Sequence, residues 1–70
     1  MKHGIVTWFD SLKGIGEIES NGKRYFLKWQ YLTGPSFKGK FKNVLEGQKV
    51  MFEEVMISKH AQAMKVESEQ

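Results

Sequence analysis

Gly4-Ile5-Val6-Thr7-Trp8-Phe9-Asp10 runs through a short basic turn into Lys13-Gly14-Ile15-Gly16-Glu17-Ile18. The first stretch reads as a strand, Ile5 to Phe9, with an aromatic pair near its end. The second opens a glycine-spaced strand, Ile15 to Ser20. Its alternation puts Ile15, Glu17 and Glu19 on one face and Gly16 and Ile18 on the other. Asn21-Gly22 follows, a strong two-residue hairpin signal because both residues accept positive φ. Strand three is then Lys23 to Trp29, with Tyr25 and Leu27 alternating with Phe26 and Lys28. Aromatics and lysines interleaved on adjacent short strands suit single-stranded nucleic acid, whose bases stack while its phosphates pair with cations.

Outward from this hairpin the same pattern continues. Gln48 to Val55 and Ala61 to Glu67 read as strands four and five, and Gln30 to Thr33 as one short helical turn. No helix-period segment exceeds two turns. Regularly spaced short strands favour a barrel or sandwich, and five of them fit a small, partly open barrel. The stretch Gly34 to Asn43 is rich in turn formers and cations, and a loop of this length in so small a domain is usually functional or disordered. The polar tail after Val66 is expected to fray.

The 70 residues bound the answer to one domain. A chain this short buries only about 60% of its unfolded surface, so its stability should be modest. With no cysteine, neither a disulfide nor a thiolate zinc site supports it. No run approaches the roughly 18 apolar residues of a membrane span. The N-terminus turns directly into a strand with no hydrophobic signal core, so the expectation is a soluble, cytoplasmic protein. The net charge of +3 is only mildly basic, and placement says more than the total. Lys38, Lys40 and Lys42 cluster in mid-chain, whereas Glu46, Glu53, Glu54, Glu67 and Glu69 occupy the second half.

These segments resemble the cold-shock domain family over nearly the whole chain. Gly4 to Asp10 resembles the family's opening strand. Lys13 to Ile18 sits where its first ribonucleoprotein motif belongs, and Tyr25 to Trp29 where the second belongs. Leu45-Glu46-Gly47-Gln48-Lys49-Val50 matches the approach to strand four, and Ala61-Gln62-Ala63-Met64-Lys65-Val66 resembles the last strand. The resemblance implies an all-β, five-stranded antiparallel barrel of the oligonucleotide-binding (OB-fold) type, residues 1–70 as one cold-shock domain with 67–70 as tail. It implies sequence-tolerant binding of single-stranded RNA or DNA, as an RNA chaperone or transcript regulator, without metal, nucleotide or other cofactor.

The chain also departs from the family pattern. Ile15 and Glu17 stand where that pattern has base-stacking aromatics, Lys28 where a histidine is usual, and Glu54 where it has an apolar core residue that a bulge would have to turn outward. Extra residues around Gly39 to Lys42 lengthen the loop, and His60-Ala61 replaces a Gly-Pro pair.

Trp8 is the leading stacking candidate. Phe9 beside it should point the other way, into the barrel edge, unless the strand bulges. Phe26 shares a face with Lys28 and, through strand pairing, with Ile15 and Glu17. Trp29 ends its strand at a change of chain direction, and Phe37 matches a loop aromatic that the family uses on bases. Lys13, Lys28, Lys38, Lys40 and Lys42 are the phosphate candidates, although a solvated, edge-protecting charge run is the simpler reading of the loop lysines. Gly14 and Gly16 serve close backbone approach at a barrel corner rather than a phosphate cradle. Glu17 places a negative charge on the platform and offers no π-face. Two lost aromatics remove roughly 2–6 kcal/mol of gross stacking, so binding is expected to be weaker than in typical members.

His3, His60, Ser11, Asp10 and the Glu53-Glu54 pair form no catalytic or metal-binding set. The alternative to nucleic acid is a protein partner or a second copy of the chain on an apolar patch of Trp8, Ile15 and Phe26, rimmed by Glu17 and Glu19. No membrane or small-molecule substrate is expected.

Overall fold

In the computed structural model, which describes residues 1–33 and 44–69, the chain forms five strands and one short helical turn. They are β1 (Lys2–Asp10), β2 (Ile15–Ser20), β3 (Lys23–Lys28), β4 (Lys49–Ile57) and β5 (His60–Ser68). A 3₁₀ turn, Trp29–Tyr31, follows β3. The strands close into a barrel in the order β1-β2-β3-β5-β4.

The β2–β3 hairpin forms on the Asn21-Gly22 turn signal. Asn21 and Gly22 take φ of 52° and 76°, and the ladder runs unbroken from Ser20–Lys23 to Ile15–Lys28. Gly16, Ile18, Tyr25 and Leu27 face inward, while Glu19, Arg24 and Phe26 are exposed. Tyr25 meets Phe52 edge-on, with ring centroids 4.8 Å apart. Val6, Ile18, Leu27, Leu32, Val50, Phe52 and Val66 fill the barrel and are fully buried.

β1 carries an irregularity that decides its outer face. Val6 pairs with Ile18 and Trp8 with Glu17, so Thr7 is an extra residue, a β-bulge. Its hydroxyl donates to the Glu17 carbonyl at 3.2 Å. Gly4 and Val6 point inward before the bulge. After it Trp8 is exposed and Phe9 packs against the core.

The antiparallel ladders close into a barrel through a short parallel contact between β3 and β5, Phe26 opposite Gln62, where the strand spacing suggested a partly open one. The Gln62 side chain, nearly buried, donates to the Phe26 carbonyl at 3.0 Å and to the Ala63 carbonyl at 2.9 Å. A second parallel bridge joins Leu32 to Val66.

Three expectations are corrected. Strand three ends at Lys28, because Trp29 turns into the 3₁₀ turn. Strands four and five are longer than their apolar runs, since Ser58 and Lys59 (φ 48° and 71°) make a two-residue turn that lets Ile57 pair with His60. The polar tail does not fray through Glu69. Glu67 and Ser68 pair with Met51 and Val50, the Glu69 amide donates to the Lys49 carbonyl at 3.1 Å, and the Glu69 carboxylate bonds the His3 ring.

Glu54 is not turned outward by a bulge in its own strand. The extra residue lies in β5, at Lys65 with φ 49°, and Glu54 keeps the phase of Phe52. Its carboxylate is partly exposed, 2.7 Å from the Lys23 ammonium and 3.9 Å from that of Lys2.

Candidate nucleic-acid interface

Strand register sets the outer face of β1 to β3. Trp8, Glu17 and Phe26 lie opposite one another across three strands, in one row. Asp10, Ile15 and Lys28 form the next row. Side chains directly opposite on neighbouring strands stand about 5 Å apart, so each row is a continuous strip of surface. Trp8 is 41% exposed and Phe26 39%, large areas for aromatic side chains that a core reading would bury. The Lys28 ammonium sits over the Phe26 ring, 5.7 Å from its centroid. Trp29 is exposed at the end of β3, and its amide donates to the Gly14 carbonyl at 2.9 Å.

The turn that carries Lys13 is built by Asp10. Its Oδ1 accepts from the amides of Leu12 at 3.0 Å and Lys13 at 3.1 Å, and its carbonyl accepts from the Gly14 amide at 2.7 Å. This side-chain turn leaves Lys13 exposed beside the Asp10–Ile15–Lys28 row. Gly16 lets the backbone of β1 approach closely, since a Cβ there would stand 2.5 Å from the Trp8 carbonyl oxygen.

Glu17 is engaged rather than isolated. Its Oε1 lies 3.6 Å from the Arg24 guanidinium and 3.5 Å from the Thr7 hydroxyl oxygen, whose one hydrogen goes to the nearer Glu17 carbonyl. The cation offsets part of the repulsion that a lone carboxylate would exert on a phosphate chain. Arg24 is not among the residues that the sequence pattern singles out. Counting the hairpin outward from Asn21-Gly22 nevertheless places it opposite Glu19 and diagonal to Glu17, within reach of a long side chain.

Beside the platform is an open depression of about 550 Å³, lined by Glu17, Arg24, Phe26, Lys28, His60 and Gln62 among others. Nothing in the sequence pattern marks His60 or Gln62 for this face, because β5 reaches it only by closing the barrel.

The structure therefore brings together Trp8, Phe26, Trp29, Lys13 and Lys28 around the ends of β1 to β3. Phe37, Lys38, Lys40 and Lys42, the remaining sequence candidates, lie outside the described residues. Among the described residues no group of three or more His, Cys, Asp or Glu side chains is placed to hold a metal ion, and no helix is long and apolar enough to cross a membrane.

No protein-family profile matches the chain. Individual relatives do. It is 37% identical to cold shock protein CspC of Bacillus subtilis over 68 residues, covering 96% of this chain and 97% of that one. It is 40% identical to cold shock-like protein CspLB of Listeria monocytogenes over 67 residues, covering 94% and 96%. Cold shock protein CspB of Geobacillus stearothermophilus is 37% identical with the same coverage. Identity of this size, spread over nearly the full length of each relative and joined to a closed five-stranded barrel, shows that the chain belongs to the cold shock protein family.

Proposed function

We propose that this protein binds single-stranded RNA or DNA on the outer face of β1 to β3, by base stacking and phosphate pairing. The observation that carries the reading is the placement of Trp8 and Phe26 on one exposed row, with Lys28 over the Phe26 ring. Trp8, Phe26 and Trp29 stack bases, and Lys13 and Lys28 meet phosphates. By the family resemblance, Phe37 adds a stacking ring, and Lys38, Lys40 and Lys42 add phosphate contacts. The protein favours unpaired strands, so it keeps short stretches of transcript open, as a cytoplasmic RNA chaperone or transcript regulator. It acts by binding alone, without catalysis or a cofactor.

Binding is weaker than on a full aromatic platform. Ile15 and Glu17 supply no ring, and each absent stack is worth roughly 1–3 kcal/mol. Arg24, beside the Glu17 carboxylate, limits the further loss from charge repulsion.

The test is tryptophan fluorescence titrated with a pyrimidine-rich single strand at low and moderate salt, with Trp8→Ala in parallel. Saturable quenching that weakens with salt and with loss of Trp8 is expected. The slope of log affinity on log salt counts phosphate contacts at about 0.7 each. A flat titration from a folded protein, with a concentration-dependent dimer in sedimentation, would instead favour the apolar face as a protein contact.

A further inference from the structure

Glu17 is the one residue in the Trp8–Glu17–Phe26 row that carries a carboxylate, and so a pair of adjacent hydrogen-bond acceptors. Stacking alone tolerates every base, because every base has a π-face. A carboxylate between two rings does not. Neighbouring strands lie about 4.8 Å apart, so a base stacked on Trp8 or Phe26 brings its edge to the Glu17 position.

The carboxylate has a cation beside it. The contacts it makes among the described residues, with Thr7 and Arg24, both fall on Oε1. Oε2 is left for a ligand, and Oε1 keeps acceptor capacity, since an ionised carboxylate offers about four lone-pair sites. The group also lines the open depression beside Phe26 and Lys28, so a base edge can reach it from solvent.

An ionised carboxylate only accepts hydrogen bonds. On the Watson–Crick edge, guanine alone presents two adjacent donors, N1–H and the N2 amino group. These match the two oxygens of one carboxylate. Cytosine and adenine each place a ring-nitrogen acceptor beside their amino donor. Uracil and thymine place their one N–H between two carbonyl oxygens, which a carboxylate repels. Single-stranded recognition commonly reads this edge while the base is stacked on a side chain.

We infer that Glu17 is a specificity residue that selects a guanine on the platform, held by the Trp8 or Phe26 ring and read at its N1–H and N2 amino donors. The inference rests on the proposed binding of single strands. It turns the feature that weakens general stacking into one that discriminates among bases.

The experiment compares three all-thymidine strands that differ at one central position, carrying thymidine, deoxyguanosine or deoxyinosine. Inosine keeps N1–H and O6 but lacks the N2 amino group. Each strand is titrated at low salt against the wild type and Glu17→Gln, with tryptophan fluorescence as readout and circular dichroism confirming the fold. The guanine strand is expected to bind at least about fivefold tighter than the thymidine strand, with inosine between them. Glu17→Gln should bring the guanine-to-thymidine ratio close to one, because its amide, one donor beside one acceptor, can pair with O6 and N1–H of guanine and equally with a carbonyl and N3–H of thymine. Equal binding of all three strands by the wild type overturns the inference while the proposed function stands. A guanine preference that survives in Glu17→Gln also overturns it. No binding by any strand overturns the inference together with the function beneath it. The guanine–inosine comparison is made on the wild type, so equal binding there overturns the inference even if the variant fails to fold, and Glu17→Ala then takes the place of Glu17→Gln with the same expectation.

Discussion

The indole of Trp29 lies against the α-carbon of Gly14, so closely that a methyl group there would stand 2.0 Å from its Cδ1 atom. Gly14 also takes φ of +69°, a backbone conformation that L side chains rarely adopt. The glycine therefore seats the tryptophan. Gly14→Ala should lose about 1–2 kcal/mol from the backbone conformation alone, and more from the displaced indole. Gly22, at φ +76° with open space around it, is the control, because alanine there costs only the first part. Urea unfolding of both variants measures the difference, and a shifted emission spectrum in Gly14→Ala reports the moved indole. Equal losses in the two variants would refute the seating role.

Trp8 and Phe26 are exposed on one row, so their truncation should separate binding from stability. Trp8→Ala and Phe26→Ala are each expected to lose about 1–3 kcal/mol of oligonucleotide affinity, roughly one to two decades. Their urea midpoints should move little compared with Leu27→Ala, which empties a fully buried site at about 2–5 kcal/mol. Phe26→Ala is followed by intrinsic fluorescence, and Trp8→Ala by calorimetry.

The pairing of Glu54 with Lys23 gives stability a defined pH window. The hydrogen bond from Lys23 holds the Glu54 carboxyl below its ordinary value of 4.5, and the same bond raises the Lys23 ammonium above 10.5. For the depressed carboxyl, the contribution is complete above about pH 4.5 and is lost as pH falls through the lower folded value. For the raised ammonium, it is complete below about pH 10.5 and is lost as pH rises through the higher folded value. The pair should therefore stabilise a plateau and fade at both ends. Glu54→Gln should flatten both flanks of a plot of urea midpoint against pH, relative to wild type. An unchanged profile would show that the ion pair contributes nothing in solution.

Gln62 should matter more than its place outside the aromatic platform suggests. Gln62→Ala removes two hydrogen bonds, to the carbonyls of Phe26 and Ala63, at the only ladder pair between β3 and β5 among the described residues. A loss of about 1–3 kcal/mol is expected. Amide exchange should accelerate first in β3 and β5 rather than in the β1–β2 ladder, and uniform acceleration would argue against a localised seam.

Features that depend on near neighbours in the chain are legible in the sequence. The β2–β3 hairpin follows from Asn21-Gly22 and strict alternation, which also give the inward Tyr25 and Leu27 and the shared face of Ile15, Glu17, Phe26 and Lys28. Features that depend on distant partners are not. Gln62 meets Phe26 across 36 residues of sequence, and polarity alone gives no sign that it closes a barrel. Ser68 reads as tail because it is polar, yet its backbone is claimed by β4. Glu54 is tolerated in a core-phase position because Lys23 and Lys2 converge on it from the starts of two other strands. Arg24 is within reach of sequence reasoning, since the hairpin register alone sets it diagonal to Glu17.

The extra residue at Thr7 sets the parity of everything after it. Before it, inward positions in β1 are even-numbered, and after it they are odd. If Thr7 instead took a regular place in the ladder, with no chemical change to any ring, Trp8 and Phe9 would exchange roles, sending the indole to the core and the phenyl to the surface. The recognition face of this barrel is thus fixed by strand register as much as by residue type. A single-codon deletion of Thr7 itself would straighten β1 and still leave Trp8 outside and Phe9 inside, because the residues on either side of the bulge already pair as consecutive rungs.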